Sequence, residues 1–384
     1  MKKNIFILIL LLTFCCTQQQ KINIYELEKE RVLKNANENI NIQPITITAN
    51  IAKRSAGNQH DFYSEGDYWW PNPEDLDGAY IRKDGVTNPD NFTKHREAMI
   101  RFCEIAGSLG SAYIITNDEK YVEALLPHLK AWFINEDTKM NPNLLFAQAI
   151  KGKVTGRGIG IIDTIHLLEV ALAVKAIEGS KTVNKTEIIA IKKWFSEYLN
   201  WLTTHPFGDK ERDNGNNHST CWTLQVAVFA DLVDNKKQIE FCKTFYKETL
   251  LPEQMAVDGS FPKETARTKP YGYSLFNLDA MTSLCQILST ENDNLFDYET
   301  KDGKSIQLGM KFLYPFIKIK EDWPFQKDVM YWENWPVKHA SLLFTASEFK
   351  NKNYLELWKS LKYDEETSEI IRNTIVKNPV LWVE

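Results

Sequence analysis

The chain has 384 residues, of which 43% are hydrophobic and 12% aromatic, and carries a formal net charge of -5. That length allows one large domain or two ordinary ones, with enough apolar material for a sizeable core. The acidic balance excludes a general nucleic-acid binder, which needs a basic face to neutralise phosphates, but leaves room for a local basic cleft.

Lys2 and Lys3 precede an apolar run from Ile5 to Phe14. The run is too short to span a bilayer, and residues 1–16 read as an export signal. Cys15 and Cys16 stand where bacterial lipoproteins are cleaved and lipidated; the bulky Phe14 before them leaves plain secretion open. On this reading the protein is periplasmic or tied to the outer membrane, and a lipid anchor is its one membrane attachment. Residues 17–45 are polar and charged and read as a tether, with one helix around Ile24 to Leu33, ahead of a single domain over 46–384.

Ile45 to Ile51 alternates weakly, as a short strand does. Residues 55–92 are rich in Gly, Pro, Asp and Asn and read as loop, yet they hold Tyr68-Trp69-Trp70-Pro71 and Arg82. Consecutive tryptophans in such a loop either plug the fold or offer flat apolar faces to sugar rings. From Phe92 onward apolar residues recur at three- and four-residue spacing, as in Met99, Phe102, Cys103 and Ala106. Further helices are expected over 161–179, 185–204, 219–234, 237–249, 274–289, 305–317, 337–349 and 353–361. Strand signals are sparse, so helical hairpins in a ring or solenoid are expected.

Between these helices, Gln148 to Gly160 sets Lys151, Lys153 and Arg157 among four glycines. It lacks a phosphate-loop pattern and reads as a mobile basic loop at the mouth of an anionic cleft, or as a solvated connector. Cys103, Cys221, Cys242 and Cys285 are scattered in apolar contexts and read as buried free thiols. The seven histidines are dispersed, and neither His-Glu-x-x-His nor Gly-x-Ser-x-Gly occurs. No metal or cofactor is therefore expected.

Asn216-Asn217-His218 opens the helix expected at 219–234. Asparagine is a good N-cap, but two asparagines and a histidine exceed what a cap needs, and a helix N-terminus favours a bound anion. Gln225 lies two turns further on the same face, where a buried amide must find a partner. About fifty residues later, Glu264-x-x-Arg267 precedes Tyr271 and Tyr273. This is either a solvated turn or a guanidinium and a phenol beside one sugar, with Glu264 orienting Arg267. Carboxamide, imidazole, guanidinium and phenol together suit removal of a proton next to a carboxylate.

These residues, with Gln148, Arg157-Gly158-Ile159-Gly160, Trp194-Phe195 and Trp201-Leu202, resemble the alginate lyase superfamily, which includes polysaccharide lyase family 5. The likeness covers roughly 60–340, and an Arg-to-Tyr spacing one residue shorter suggests a sister family. It implies an all-α fold, an (α/α) toroid of helical hairpins, and cleavage of a 1,4-linked polyuronate by β-elimination. It places Asn217, His218 and Arg267 on the substrate carboxylate and Tyr273 in proton transfer, with Tyr271 as its rival. Tyr68, Trp69, Trp70, Arg82, Gln148, Arg157, Gln225 and Tyr271 are expected along the substrate. Alginate is the substrate implied, with glucuronan or another polyuronate next, for a monomer acting on an acidic polysaccharide. A toroid glycoside hydrolase or a glycan-binding lipoprotein are the other readings of the residues.

The chemistry accounts for the kit. Neutralising the uronate carboxylate stabilises the charge that develops when the C5 proton leaves. Arg267 and a protonated His218 are expected to lower Tyr273 from a tyrosine's usual value of about 10. When the C5 proton and the leaving oxygen share a face, one tyrosine can act as base and then acid; otherwise His218 is the base and Tyr273 the acid.

Overall fold

Apolar periodicity becomes helix almost throughout. The computed structural model describes residues 22–364 and 366–383, so the expected export signal over 1–16 lies outside the described residues. Helices α1 (Ile24–Asn39), α2 (Lys94–Thr116), α3 (Glu119–Phe133), α4 (Leu167–Ile177) and α5 (Lys185–Thr204) come first. They are followed by α6 (Pro206–Arg212), α7 (Asn217–Leu232), α8 (Lys236–Phe245), α9 (Leu251–Gln254) and α10 (Pro262–Thr265). Then come α11 (Pro270–Leu288), α12 (Ile306–Lys318), α13 (Ala340–Glu348), α14 (Lys352–Ser360) and α15 (Ser368–Asn373).

The packing order makes an (α/α) toroid. Helices α2, α4, α7, α11 and α13 each pack on the next and form the inner arc, while α3, α5, α8 and α12 lie between and outside them. Sequence sorts the two layers. Helices α7 and α11 are buried along nearly their whole length and each carries a single Asp, whereas α5 keeps Lys192, Lys193 and Glu197 on a second, wetter face. Aromatic rings knit neighbours together: Phe102 stacks on Trp132 at 4.8 Å, and Phe133 meets Trp194 at 4.7 Å and Phe195 at 5.1 Å. The four cysteines are buried and unpaired, as expected.

Two expectations change at the N-terminal side. Within the segment read as a tether, α1 buries Val32 and Ala36 completely and packs on α2, so the packed part of the chain starts before residue 46. Its apolar strip is narrow and the rest of its surface is charged, which makes the segment look like a linker in composition. The weak alternation at Ile45 to Ile51 is a 3-10 turn, Ile47–Ala49, because the Thr46 hydroxyl accepts the N–H of Thr48 and curls the backbone.

The loop region before α2 contains short pairings. Strand β1 (Tyr63–Glu65) runs parallel to β4 (Phe146–Ala149), and β2 (Trp69–Trp70) pairs antiparallel with β3 (Ile81–Arg82), setting Trp69 opposite Arg82. Beneath that hairpin runs a buried line of alternating charge. Arg96 on α2 bonds Asp163 at 3.2 Å and Asp67 at 2.8 Å; Arg372 on α15 bonds Asp67 at 2.9 Å and Glu369 at 3.4 Å; Glu369 bonds Lys269 at 2.5 Å. Burial alone would raise the Asp67 carboxyl, but Arg372 and Arg96 outweigh it and hold it down at about 2. On α4, buried Glu169 accepts the backbone N–H groups of Lys377 and Asn378 and the Trp382 indole N–H. That carboxylate seats the 3-10 turn Pro379–Trp382 against α1, α2, α4 and α11.

Removing one member of such a chain leaves buried charges unpaired. Asp67→Asn is expected to lower stability by about 3–5 kcal/mol, read by chemical denaturation. An unchanged midpoint would show that Arg96 and Arg372 are held well enough without it.

Candidate active site

The site is assembled where the starts of the neighbouring helices α7 and α11 meet the ends of α6 and α10. Asn216 caps α7, its side chain accepting the His218 N–H at 3.1 Å, so the capping reading of this asparagine holds. Asn217 and His218 are then free for other partners. Asn217 is buried and gripped by Glu264, whose Oε1 takes its backbone N–H at 2.7 Å and whose Oε2 takes its Nδ2 at 2.8 Å. Burial raises the Glu264 carboxyl, and the two bonds from Asn217 offset only part of that. Glu264 thus orients Asn217, not Arg267 as the sequence suggested.

His218 is held from behind. Its Nδ1 lies 2.7 Å from Oε1 of Glu211, in the last turn of α6, a carboxylate with no exposed surface. A carboxylate only accepts, so Nδ1 carries a proton and donates to it; no described side chain bonds Nε2.

Arg267 follows α10 and lies over the Tyr273 ring, 4.7 Å from its centroid. Its partner is Asp84, with Nη2 to Oδ1 at 3.2 Å and Nε to Oδ2 at 3.4 Å. Asp84 also bonds Arg82 at 2.5 Å and the Thr268 hydroxyl at 2.9 Å, so it yokes two arginines. Tyr273, in the first turn of α11, meets the Tyr68 hydroxyl at 2.5 Å. The four groups of the opening kit therefore line one continuous surface: Asn217 and His218 are adjacent, Glu264 joins Asn217 to the turn bearing Arg267, and Arg267 covers Tyr273.

Electrostatics at Tyr273 go against expectation. Burial raises its phenol well above the usual value and the Tyr68 hydroxyl reinforces this; Lys269 and Arg267 pull it down without prevailing. In the resting site Tyr273 is a proton donor. Lys269 went unnoticed in the sequence. Its buried ammonium sits 5.0 Å from the Tyr68 ring, 5.4 Å from Tyr273 and 5.5 Å from Tyr331, the last on a loop before α13.

The remaining expected residues divide. Trp69 faces Arg157 and Lys153, while Trp70 turns away, its indole N–H on the carbonyl of Val86 and its ring under Lys83. Arg157 is half-buried and bonded to both the carbonyl and the side chain of Gln148. The glycine-rich stretch divides: residues 151–155, with Lys151 and Lys153, are exposed, while Gly156 and Gly160 let the second half lie directly on Leu145 and Ala147 in the β4 region. Gln225 leaves the site. It is fully buried, accepts from Thr164 at 2.7 Å and donates to the carbonyls of Ile161 and Cys221, so its partners are structural. Tyr271 leaves it too: completely buried against Trp323 and Trp332, with its hydroxyl on the carbonyl of Phe316, it is a core residue.

Glu211, Asp84, Lys269 and Glu369 are the functional neighbours that sequence reading missed. Glu211 had one local signal, lying two helical turns before His218, although the break between α6 and α7 interrupts that register.

The family model described as alginate lyase matches residues 46–323. The crystal structure of an alginate lyase from Bacteroides ovatus is similar at 30% identity, covering 94% of each chain with a TM-score of 0.80. Alginate lyase A1-III from Sphingomonas species A1 shares the fold at 15% identity and a TM-score of 0.59, over 92% of this chain and 94% of that one. A His-to-Ala variant of A1-III complexed with a tetrasaccharide superposes with a TM-score of 0.62 at 15% identity, over 94% of both. No curated protein matches the chain. A helical toroid carrying this cleft, with these likenesses, defines an enzyme of the polysaccharide lyase class. The chain belongs to the alginate lyase family.

Glu264→Gln replaces one of two acceptors with a donor facing Asn217. Loss of that charge-assisted bond, worth about 1.5–3 kcal/mol, is expected to lower kcat/KM about 10- to 100-fold in a steady-state elimination assay. Full activity in the variant would mean that Asn217 needs no such grip.

Proposed function

We propose that the protein cleaves a 1,4-linked polyuronate, alginate first, by β-elimination, leaving a 4,5-unsaturated uronate end. The observation that carries this is the contiguous placement of Asn217, His218, Arg267 and Tyr273 around Glu264 and Glu211. Asn217 and Arg267 neutralise the carboxylate of the reacting sugar, which lowers the cost of the charge that forms as the C5 proton leaves. To do so, Arg267 shares its guanidinium between Asp84 and the substrate, since its Nη1 has no described partner.

The His218–Glu211 contact and the raised Tyr273 phenol support a division of labour. His218 Nε2, its proton fixed on the Glu211 side, takes the C5 proton; Tyr273 gives its proton to the glycosidic oxygen as the bond to C4 breaks. A second route, with Tyr273 as both base and acid, suits sugars whose C5 proton and leaving oxygen share a face. The proximity of Arg267 and Lys269 to its ring supports that route by favouring a phenolate. Tyr68, Trp69 and Arg82 line the approach. The reading includes export, from the Lys2-Lys3 start and the apolar run after it, and action as a monomer.

Incubation with alginate, polymannuronate, polyguluronate and glucuronan, followed by ultraviolet absorbance of the unsaturated product, tests the reading. Absorbance rising with new ends is expected; new reducing ends without it would make the protein a hydrolase. Tyr273→Phe is expected to lower kcat by about 10²–10⁴ while binding persists. Retained turnover in that variant would remove the phenol from the mechanism.

A further inference from the structure

A cavity of about 270 Å³ lies where α1, α2 and the chain around α15 meet, and none of Asn217, His218, Arg267 or Tyr273 lines it. Its walls come from both ends of the sequence: Arg31, Asn35 and Glu38 on α1, Arg101 and Glu104 on α2, and Lys377 just ahead of the turn seated on Glu169. Spacing of four and three puts the α1 residues on one face of that helix. Two of the cations are fixed in place. Arg101 Nη2 donates to the buried Asn39 side chain at 2.6 Å, and Asn39 Nδ2 donates to Ser108 at 2.9 Å. The Arg31 guanidinium lies 4.3 Å from the Tyr363 ring centroid, and its Nη2 donates to the Lys377 carbonyl at 2.8 Å.

The polar groups here are incompletely matched. Arg101 Nη1 and Lys377 Nζ share one carboxylate, Glu104, at 3.5 Å and 3.4 Å. Both distances exceed the roughly 2.7–2.9 Å of a strong charge-assisted bond. On the α1 wall, the Asn35 carboxamide and the Glu38 carboxylate have no partner among the described residues. A bare phosphate would answer the two cations but meet Glu38 and Asp364, which also line the space. A neutral sugar would answer the acceptors and leave the cations as they are. A molecule with one carboxylate and several hydroxyls answers both. The volume falls just below the range of about 300–1,000 Å³ for pockets of drug-sized ligands, which suits one or two sugar rings rather than a chain.

We propose that this cavity is a second, non-catalytic site for a small uronate, its carboxylate between Arg101 and Lys377 and its hydroxyls on Asn35 and Glu38. The bound sugar ties the C-terminal segment to α1 and α2. Coupling to the reaction runs through α15. Ile371 and Thr374 line the cavity, while Glu369 and Arg372, on a neighbouring side of the same helix, meet Lys269 and Asp67 beneath Tyr68 and Tyr273. A sugar that binds only when α15 is seated favours the seated state. Short uronates are what a polyuronate lyase leaves behind, so the choice of sugar rests on that reading, whereas the cavity and its unmatched charges do not.

The test titrates wild type and Arg101→Gln by calorimetry with D-glucuronate, and with D-glucose and inorganic phosphate as controls. Glucuronate is expected to bind with a Kd of about 1 mM, as a ligand of that size allows. Arg101→Gln is expected to weaken binding about tenfold or more, the loss of a charge-assisted bond, while turnover of the polymer alone stays at the wild-type rate. Hydrogen exchange reads the tie. Glucuronate at about ten times its wild-type Kd is expected to slow the backbone N–H groups of residues 366–383 about tenfold in wild type, and about twofold or less in the variant. Equal glucuronate binding by the two proteins, glucose bound as tightly as glucuronate, phosphate bound where glucuronate is not, or unchanged exchange would each overturn the proposal. Elimination by a wild type that binds no glucuronate through Arg101 rejects the cavity site alone. Binding through Arg101 without any elimination rejects the lyase reading and keeps the site. Should Arg101→Gln fail to fold, Asn35→Ala, at a half-buried position, decides by the same titration: binding about threefold weaker or more supports the site, and unchanged binding sinks it.

Discussion

Asp163, Arg96, Asp67, Arg372, Glu369 and Lys269 form the interaction on which the working end of the molecule depends. Each charge would be untenable alone away from water; alternation makes the set tolerable, and only while every member keeps its place. Both ends of the Tyr68–Tyr273 contact hang from this line. Asp67 immediately precedes Tyr68, and Lys269 immediately precedes the helix that carries Tyr273. The meeting of the two phenols is therefore set by charges beneath the cleft, in a region with too little regular hydrogen bonding to hold a shape unaided.

The acidic net charge and the acidic substrate class are reconciled by where the charges sit. Arg82, Arg157, Arg267 and Lys269 gather around the cleft, and the first turns of α7 and α11 add the positive ends of two helices. Carboxylates near the site face backward: Glu264 gives both oxygens to Asn217, and the fully buried Glu211 gives Oε1 to His218. Mounting these groups on helix ends gives precision, because the inner arc is closely packed behind them.

Much of this was legible in the sequence, and the failures have physical causes. The helix expected over 185–204 matches α5, and the one over 305–317 is nearly coincident with α12, because their apolar stripes are clear and their caps standard. The Asn217-His218 and Arg267-Tyr273 segments stood out because polar groups cluster there at the starts of apolar helices. Gln225 and Tyr271 misled for one reason: spacing shows which face a residue occupies, but a polar atom satisfied inside the core looks the same as one waiting for a ligand. Asp84, Glu369 and Arg372 left no trace, since ion pairs between distant segments, such as Asp84 with Arg267 or Arg372 with Asp67, follow no local pattern.

The seating of Pro379–Trp382 on Glu169 bears on how the molecule comes to exist. This segment, with α15 just ahead of it, is synthesised after all the ring helices, yet it packs on α1, α2 and α4 from the beginning of the ring. The ring can collect its hairpins one after another, but its first helices keep an uncovered flank, and Glu169 an unanswered charge, until that late segment arrives. The same stretch delivers Glu369 and Arg372 to the cleft. The ion-pair line beneath Tyr68 and Tyr273 is therefore completed by the same late segment that covers the first helices.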